Sequence, residues 1–255
     1  MSKETHLGKI DTFKRFELYG TPLTSFRSLD EYSNEDINVL KDIEYLRNKN
    51  RSEFWKLTDL QKFNESIDSD VIETDKGSSL EYCISERWAK VILRTGTKLY
   101  EKQLESDHLF DILLNNGWFE LKTAKELRQN EQINNIWLNC EFTDTEGNPK
   151  NEIDIIAELG NRLLFVECKT MIYDSTDIDK FRSALRNFSG TSSTGFFITN
   201  DKPNANSRNR FEHAMEKCKD NGIQTFNFSL WKENPIATPS LKELINNQIQ
   251  TQNKR

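Results

Sequence analysis

In the run Leu163 to Thr170, LLFVECKT, Glu167 and Lys169 stand two positions apart where an uninterrupted apolar stretch ends. Read as a strand, Leu163, Phe165, Glu167 and Lys169 share one face by parity, so a carboxylate and an ammonium emerge side by side. Upstream, NEIDII from Asn151 places Asp154 within a run otherwise suited to a core, and Gly160-Asn161 between the two runs reads as a tight turn that makes them neighbours. Asp154 and Glu167 are thereby candidates to converge on one cation. A hard divalent ion, Mg2+ or Mn2+, takes oxygen ligands, typically a couple of carboxylates with water and substrate phosphate completing the shell, and the backbone carbonyl of Cys168 would join that set. Such an ion lowers the pKa of a bound water and stabilises charge on a phosphate under in-line attack. Lys169 would orient or deprotonate that water, or neutralise the phosphate. Partial burial would lower its pKa, and the adjacent carboxylates push the other way. The chemistry to which these residue types point is phosphodiester hydrolysis.

The elements that must hold those residues follow from periodicity. Ile136, Leu138, Cys140 and Phe142 alternate with Trp137, Asn139 and Glu141, a half-buried strand. The turn TEGNPK (145–150) returns the chain as 152–158, and 162–170 completes three antiparallel strands in succession. Thr176 with Asp179 makes a capping-box-like start to a helix with Ile178, Phe181, Leu185 and Phe188 on one stripe before Gly190. TGFFIT (194–199) is a buried strand, and a helix from about Ser207 closes at Asn221-Gly222. The spacing then predicts a last strand over 223–230 and, beyond Trp231, a loop with a short helix. Before the meander, 80–93 and 106–127 read as helices, the second capped by Ser106 and divided or kinked at Gly117. The first 75 residues are polar. They carry one helix over 34–47, N-capped by Ser33 with Asp36 three residues on, and a second over about 52–63, without strand-helix alternation. DKGSS (75–79) reads as a linker or loop. The expected division is an N-terminal polar, mainly helical segment (1–75), a catalytic domain (80–232) and a tail (233–255).

Asp154 followed by Glu167-Cys168-Lys169 across a short hairpin resembles the PD-(D/E)xK, restriction-endonuclease-like nuclease superfamily. With GWFE (117–120), KNEIDI (150–155), LLFVECKT and DIDKFRSALRNFSGTSSTGFFIT, the stretch from Asp107 to Leu230 is similar to the nuclease domain of CRISPR ancillary nucleases, which are usually fused to a CARF sensor domain. The resemblance implies an α/β (α+β) fold with a mixed sheet, built on a restriction-endonuclease-like αβββαβ core. It implies a metal-dependent endonuclease acting on DNA, RNA or both in prokaryotic antiviral defence. By position, Glu120 corresponds to the helix carboxylate of the family site and is a further candidate metal ligand; Asp154 and Glu167 correspond to the metal ligands and Lys169 to the catalytic lysine. Glu152, on the strand face of Asp154 by parity, is a weaker candidate. The family acts as homodimers. CARF domains are α/β and bind cyclic oligoadenylate, and the first 75 residues here lack the pattern of such a domain, which leaves a stand-alone nuclease, a partner of a separate sensor or activator, and a different defence enzyme as the open readings.

Composition sets the background. The 255 residues carry a net charge of -6, 35% hydrophobic residues and 16 Phe and 5 Trp for burial. That balance argues against nonspecific coating of nucleic acid, although bound cations reverse the local effect of site carboxylates. Between Asp179 and Asp220 basic residues outnumber acidic ones, with Arg182, Arg186, Arg208 and Arg210 placed to track a phosphate backbone, or simply solvated on helix surfaces. Cys83, Cys140, Cys168 and Cys218 form no CxxC pair and read as reduced, mostly buried thiols. His6, His108 and His213 form no ligand cluster, and SGTSS (189–193) lacks the spacing and Lys of a phosphate loop. No stretch approaches the roughly 18 apolar residues of a membrane span, and the start lacks a signal peptide, so a cytoplasmic protein is expected. The competing readings are an exposed ion pair for Glu167 and Lys169, a hairpin residue for Asp154 and a wet helix face for Glu120. At the level of function they are a conventional restriction or repair endonuclease and a catalytically silent module that binds nucleic acid or protein.

Overall fold

A computed structural model of the chain describes residues 16–17, 20–59, 61, 63, 66–160, 162–172, 175–188, 193–236 and 238–252. Gly190 and most of the SGTSS stretch, like His6, lie outside the described residues. The fold is mixed α/β, with a six-stranded mixed sheet and a four-stranded antiparallel sheet. The chain divides into two compact units, one formed by Ser28–Gln129 and the other by Met1–Arg27 together with Asn130–Arg255.

In the unit Ser28–Gln129, helix α1 (Asn34–Lys49) starts as the sequence predicts. Ser33 accepts from the Asp36 N–H and Asp36 accepts from the Ser33 N–H at 2.7 Å, a complete capping box. Asp36 is fully buried, and its remaining capacity is taken by His108, through the backbone N–H at 3.2 Å and Nδ1 at 3.0 Å, so His108 has a structural partner. Helix α2 is shorter than expected, Arg51–Leu57. The helix expected over 80–93 is not there. Strands β2 (Ser69–Glu73), β3 (Ser79–Cys83), β4 (Trp88–Thr95) and β5 (Lys98–Glu105) form the antiparallel sheet instead. The buried residues Leu80, Tyr82, Ala89, Val91 and Leu93 alternate with less buried ones on each side of a turn at Arg87, whose φ is 55°, and period two with a break outweighs the helical spacing. DKGSS is a loop, the β2–β3 hairpin turn. Helices α3 (Leu109–Leu113) and α4 (Gly117–Arg128) fill the expected 106–127 stretch. The break does fall at Gly117, and His108 rather than Ser106 takes the N-cap position of α3.

In the other unit, β1 (Leu23–Ser28), β6 (Ile133–Thr143), β7 (Pro149–Leu159), β8 (Arg162–Lys169), β9 (Ser193–Thr199) and β10 (Gln224–Asn227) lie in the order β1-β6-β7-β8-β9-β10. The meander β6-β7-β8 is antiparallel, and β9 and β10 add in parallel after helices α5 (Thr176–Phe188) and α6 (Arg208–Asp220). The βββαβ part of the expected order is present here with β1 added at the edge, and the helix that precedes it in sequence, α4, belongs to the Ser28–Gln129 unit. One core cluster gathers Trp137, Ile156, Phe165, Ile178, Phe181, Phe197 and Ala214, joining the sheet to both helices. The strand expected to run to Leu230 stops at Asn227. Its side chain accepts from the Leu230 N–H at 3.0 Å and caps helix α7 (Phe228–Glu233), a turn chemistry hidden in the run FNFSL. The tail carries helix α8 (Leu241–Gln252). All four cysteines are buried and free. No helix among the described residues is long and apolar enough to cross a membrane.

Gly117 is required by packing. A Cβ built there would lie 1.8 Å from the Asp111 carbonyl oxygen and 2.9 Å from its carbon, both backbone atoms that cannot swing away. Gly117→Ala is expected to destabilise the protein by about 1–3 kcal/mol, a fall of roughly 2–10 °C in Tm. An unchanged thermal midpoint would show that α3 and α4 do not approach so closely.

Candidate active site

Asp154 on β7 and Glu167-Cys168-Lys169 on β8 meet where the two strands part. The β7–β8 ladder runs from Leu159↔Arg162 to Ile155↔Val166 and goes no further. Beyond that point β7 still pairs with β6, through Cys140↔Ile153 and Glu141↔Glu152, while β8 still pairs with β9, through Cys168↔Ile198 and Lys169↔Thr199. Across the opening, the Asp154 carboxylate accepts the Cys168 N–H at 2.6 Å. A side-chain oxygen thus stands where a strand carbonyl would have been, and the N–H of a buried residue keeps its partner.

Asn139 explains why the break falls there. It sits in the middle of β6 with φ 52°, and the β6–β7 register passes over it between Leu138↔Ile155 and Cys140↔Ile153, directly across from Asp154. The same core cluster takes Trp137 and Ile156 on one side of this point and Cys140 and Ile153 on the other. In an unbroken strand, residues three apart face opposite ways. The strand pair therefore exchanges its core-facing set at Asn139 and Asp154, in a backbone conformation that Asn tolerates better than most residues. Extrapolating parity from Ile156 through Asp154 to Glu152, as the sequence invites, does not describe this segment.

The electrostatics are those of carboxylates crowded away from water. Lys169 Nζ lies 2.6 Å from Glu167 Oε1, with the Glu167 side chain 12% exposed and that of Lys169 29%. Burial first, then the nearby Asp154 charge, push Glu167 up to about 8 against the pull of Lys169. Asp154 is likewise raised, chiefly by burial, with Lys169 and the Cys168 N–H opposing and Asp177 adding to the rise. Burial alone would lower the Lys169 pKa, but Asp154 and Glu167 outweigh it and hold the ammonium above its ordinary value. Of the opposing effects on Lys169, the carboxylates win. Glu152 is also raised, by loss of water on its protein-facing side and then by Asp154 and Glu141. Asp177, in the first turn of α5, acts on Asp154, Glu167 and Lys169 and was not among the expected residues. An acidic residue in a first helical turn reads as a partner of the helix dipole, and nothing in its spacing pointed here.

Glu120 sits in the first turn of α4, half-buried, in the other compact unit. Of the basic residues expected to track phosphate, Arg182 is half-buried and Arg186, Arg208 and Arg210 are exposed. Lys217 is committed instead to Asp179 at 2.5 Å and to Ser175, joining α6 to the start of α5, and Lys202 pairs with Glu233. Among the described residues, no three His, Cys, Asp or Glu side chains gather closely enough to enclose a metal ion by themselves. The fit to a hard divalent ion rests on donor chemistry: two oxygen donors, Asp154 and Glu167, each disfavoured as a bare charge by burial and Glu167 also by Asp154, with main-chain oxygen adjacent at Cys168.

Residues 108–215 match the family model described as Card1-like, endonuclease domain. Among solved structures, the chain is similar to Can2 from Sulfobacillus thermosulfidooxidans in complex with cyclic tetra-adenylate, with a TM-score of 0.52 at 18% identity over 89% of this chain and 60% of that one. Protein VC1899 from Vibrio cholerae aligns at 17% identity with a TM-score of 0.48, over 86% of this chain and 58% of that one. This chain thus spans about three-fifths of the length of each. No curated protein matches. At such identities the likeness to Can2 shows the fold.

Because Glu167 is raised to about 8 and Asp154 is raised too, the folded protein holds protons above the ordinary carboxylate range that the unfolded chain has released. Stability in EDTA is expected to be greatest below about pH 5 as far as these groups contribute, and to fall as pH rises towards 8, by at most about 1.4 kcal/mol per pH unit for each proton. Glu167→Gln should flatten the decline in urea titrations. An equally steep decline in that variant would mean that Glu167 is not the titrating group.

Proposed function

We propose that the chain is a metal-dependent endonuclease that hydrolyses phosphodiester bonds of DNA, RNA or both. The observation that carries this reading is the meeting of Asp154 with Glu167 and Lys169 at the opening between β7 and β8. The match of residues 108–215 to an endonuclease-domain model supports it. Asp154, Glu167 and the Cys168 carbonyl are the proposed holders of Mg2+ or Mn2+. When bound, the ion supplies Lewis-acid polarisation and a water of lowered pKa. Lys169, kept cationic by its two carboxylate neighbours, presents positive charge to a phosphate oxygen as negative charge builds there, a role of charge stabilisation rather than proton removal. The partly water-excluded setting strengthens that interaction.

The biological setting is proposed from the comparisons. Can2 was solved with cyclic tetra-adenylate bound, and the proposal extends to a CRISPR-associated antiviral role in the cytosol, as a homodimer and under the control of a sensor or activator.

The test is incubation of plasmid DNA, single-stranded DNA and RNA with Mg2+ or Mn2+ against EDTA. Cation-dependent cutting is expected, reduced at least about 100-fold by Lys169→Ala and by Asp154→Ala. Cutting that persists in EDTA, or at wild-type rate in both variants, would sink the proposal. Intact substrates throughout, with cyclic tetra-adenylate also supplied, would favour the silent binding module.

A further inference from the structure

In a chain of net charge -6, one end of the Ser28–Gln129 unit gathers cations around two tyrosines. The end is built by the last turn of α1 and two hairpin turns, β2–β3 and β4–β5. Asn50, just past α1, donates through Nδ2 to the Arg94 carbonyl at 2.9 Å, and Thr95 donates through its hydroxyl to the Lys49 carbonyl at 3.3 Å. A Cβ built on Gly77, in the β2–β3 turn, would lie 3.2 Å from Arg94 Nε, so both turns meet the helix end. Lys49, Lys76, Arg94 and Lys98 are all exposed there.

Two features separate this end from an ordinary solvated surface. First, most of its cations are left over. Three nearby carboxylates are engaged by other lysines, Asp42 with Lys102 at 2.5 Å, Glu53 with Lys56 at 3.2 Å and Glu101 with Lys90 at 2.9 Å, and of the four cations only Lys76 also acts on one of them, Glu53. None of Lys49, Lys76, Arg94 and Lys98 forms an ion pair with a described carboxylate, and Asp75, beside Lys76, is the acidic residue of the β2–β3 turn. Second, aromatic rings lie among them. Tyr45 is 42% exposed and contacts Tyr100 edge-on, with ring centroids 6.4 Å apart. Lys49 Nζ stands 4.7 Å from the Tyr45 centroid and 5.3 Å from that of Tyr100. A helix C-terminus accounts for one lysine through its dipole, but not for cations on two separate hairpin turns or for the exposed ring.

We propose that this end, formed by Tyr45, Lys49, Lys76, Arg94, Lys98 and Tyr100, is a docking surface for single-stranded nucleic acid. Unpaired cations follow the phosphates of a flexible strand, and an accessible ring flanked by ammonium groups is a platform for an unpaired base. An acidic peptide or an anionic membrane would use the cations and leave the rings without a role. The choice of nucleic acid among polyanions rests on the phosphodiesterase reading, and the surface belongs to a unit that contains neither Asp154 nor Lys169.

The test is fluorescence anisotropy of labelled 20-nucleotide poly-dT and poly-U with the full chain in EDTA, across a salt series. The absence of a cation separates binding from cleavage: a protein that cuts nothing under any condition can still bind here, and a protein that cuts can fail to bind here. The combined variant Lys49→Gln, Arg94→Gln, Lys98→Gln is expected to weaken binding at least about 10-fold and to reduce the slope of log K against log salt by about 2. Tyr45→Ala should weaken binding at least about 5-fold with the salt slope unchanged, and Tyr45→Phe should retain it, which separates a stacking ring from a merely structural one. Circular dichroism melts confirm that each variant folds. Wild-type protein that binds neither oligonucleotide, variants that bind as wild type, or a stronger response to a poly-glutamate peptide or to phosphatidylserine vesicles would each overturn the proposal.

Discussion

The hydrogen bond from the Cys168 N–H to the Asp154 carboxylate is the constraint on which the site depends. It lets β7 and β8 part without leaving a buried amide unpaired, and it fixes an anion at the point of separation. Once Asp154 is held there, Glu167 and Lys169 cannot be independent of it. Burial and the Asp154 charge disfavour ionised Glu167, and both carboxylates favour charged Lys169. Asp154 therefore acts on both neighbours, after burial in each case. Groups arranged in this way strain the fold they belong to, because desolvation of each charge is only partly offset by its partner. Such strain in a sheet otherwise made of Ile, Leu, Val and Phe is what singles this place out as the candidate site.

The surrounding framework holds the end of β8 from the opposite side. The Asn200 N–H donates to the Lys169 carbonyl at 3.2 Å, and the buried Asp201 carboxylate accepts the Ile172 N–H at 3.0 Å. Asp201 is itself secured, its N–H donating to the Thr199 hydroxyl and its carbonyl accepting from Asn227 Nδ2 at 2.9 Å. The chain leaving the site is thereby tied to the ends of β9 and β10, while the Asp179–Lys217 pair joins α5 to α6. Lys169 owes its position to β9 and β10 as much as to its own strand, which is how a long, flexible side chain is kept at a defined place.

Much of this unit was legible because its strands obey one period and its turns carry their own chemistry. NEIDII, Gly160 and LLFVECKT specify a hairpin with three charges at its open end, and the structure builds that hairpin. What escaped was local backbone irregularity. Asn139 has no sequence mark that distinguishes a left-handed residue in a strand from an ordinary polar one, so the face exchange at Asp154 was invisible. Asn227 looked like a strand residue until its side chain was seen to cap α7. In the other unit, 80–93 satisfied helical spacing by coincidence, and only the turn at Ser85–Arg87, where the Ser85 N–H and hydroxyl both donate to Asp68, turns the segment into two strands. That partner is 17 residues away in sequence, beyond the reach of any local pattern. Glu120 entered the candidate set only through resemblance, since a carboxylate in the first turn of a helix has a sufficient local explanation.

Net charge misleads for a related reason. The -6 total argues against a nucleic-acid partner only if charge is spread evenly, and here it is not. The acidic residues Glu141, Glu152, Asp154, Glu167 and Asp177 act on one another or on Lys169 around the β7–β8 opening. Carboxylates near the sheet end at Tyr45 are consumed by Lys56, Lys90 and Lys102, leaving cations in excess there. Carboxylates crowded at one place and cations in excess at another cancel in the sum, yet each place has its own electrostatic character. For such a chain the informative quantity is the charge left unpaired at each place, and a sequence reports it only once the fold has decided which pairs form.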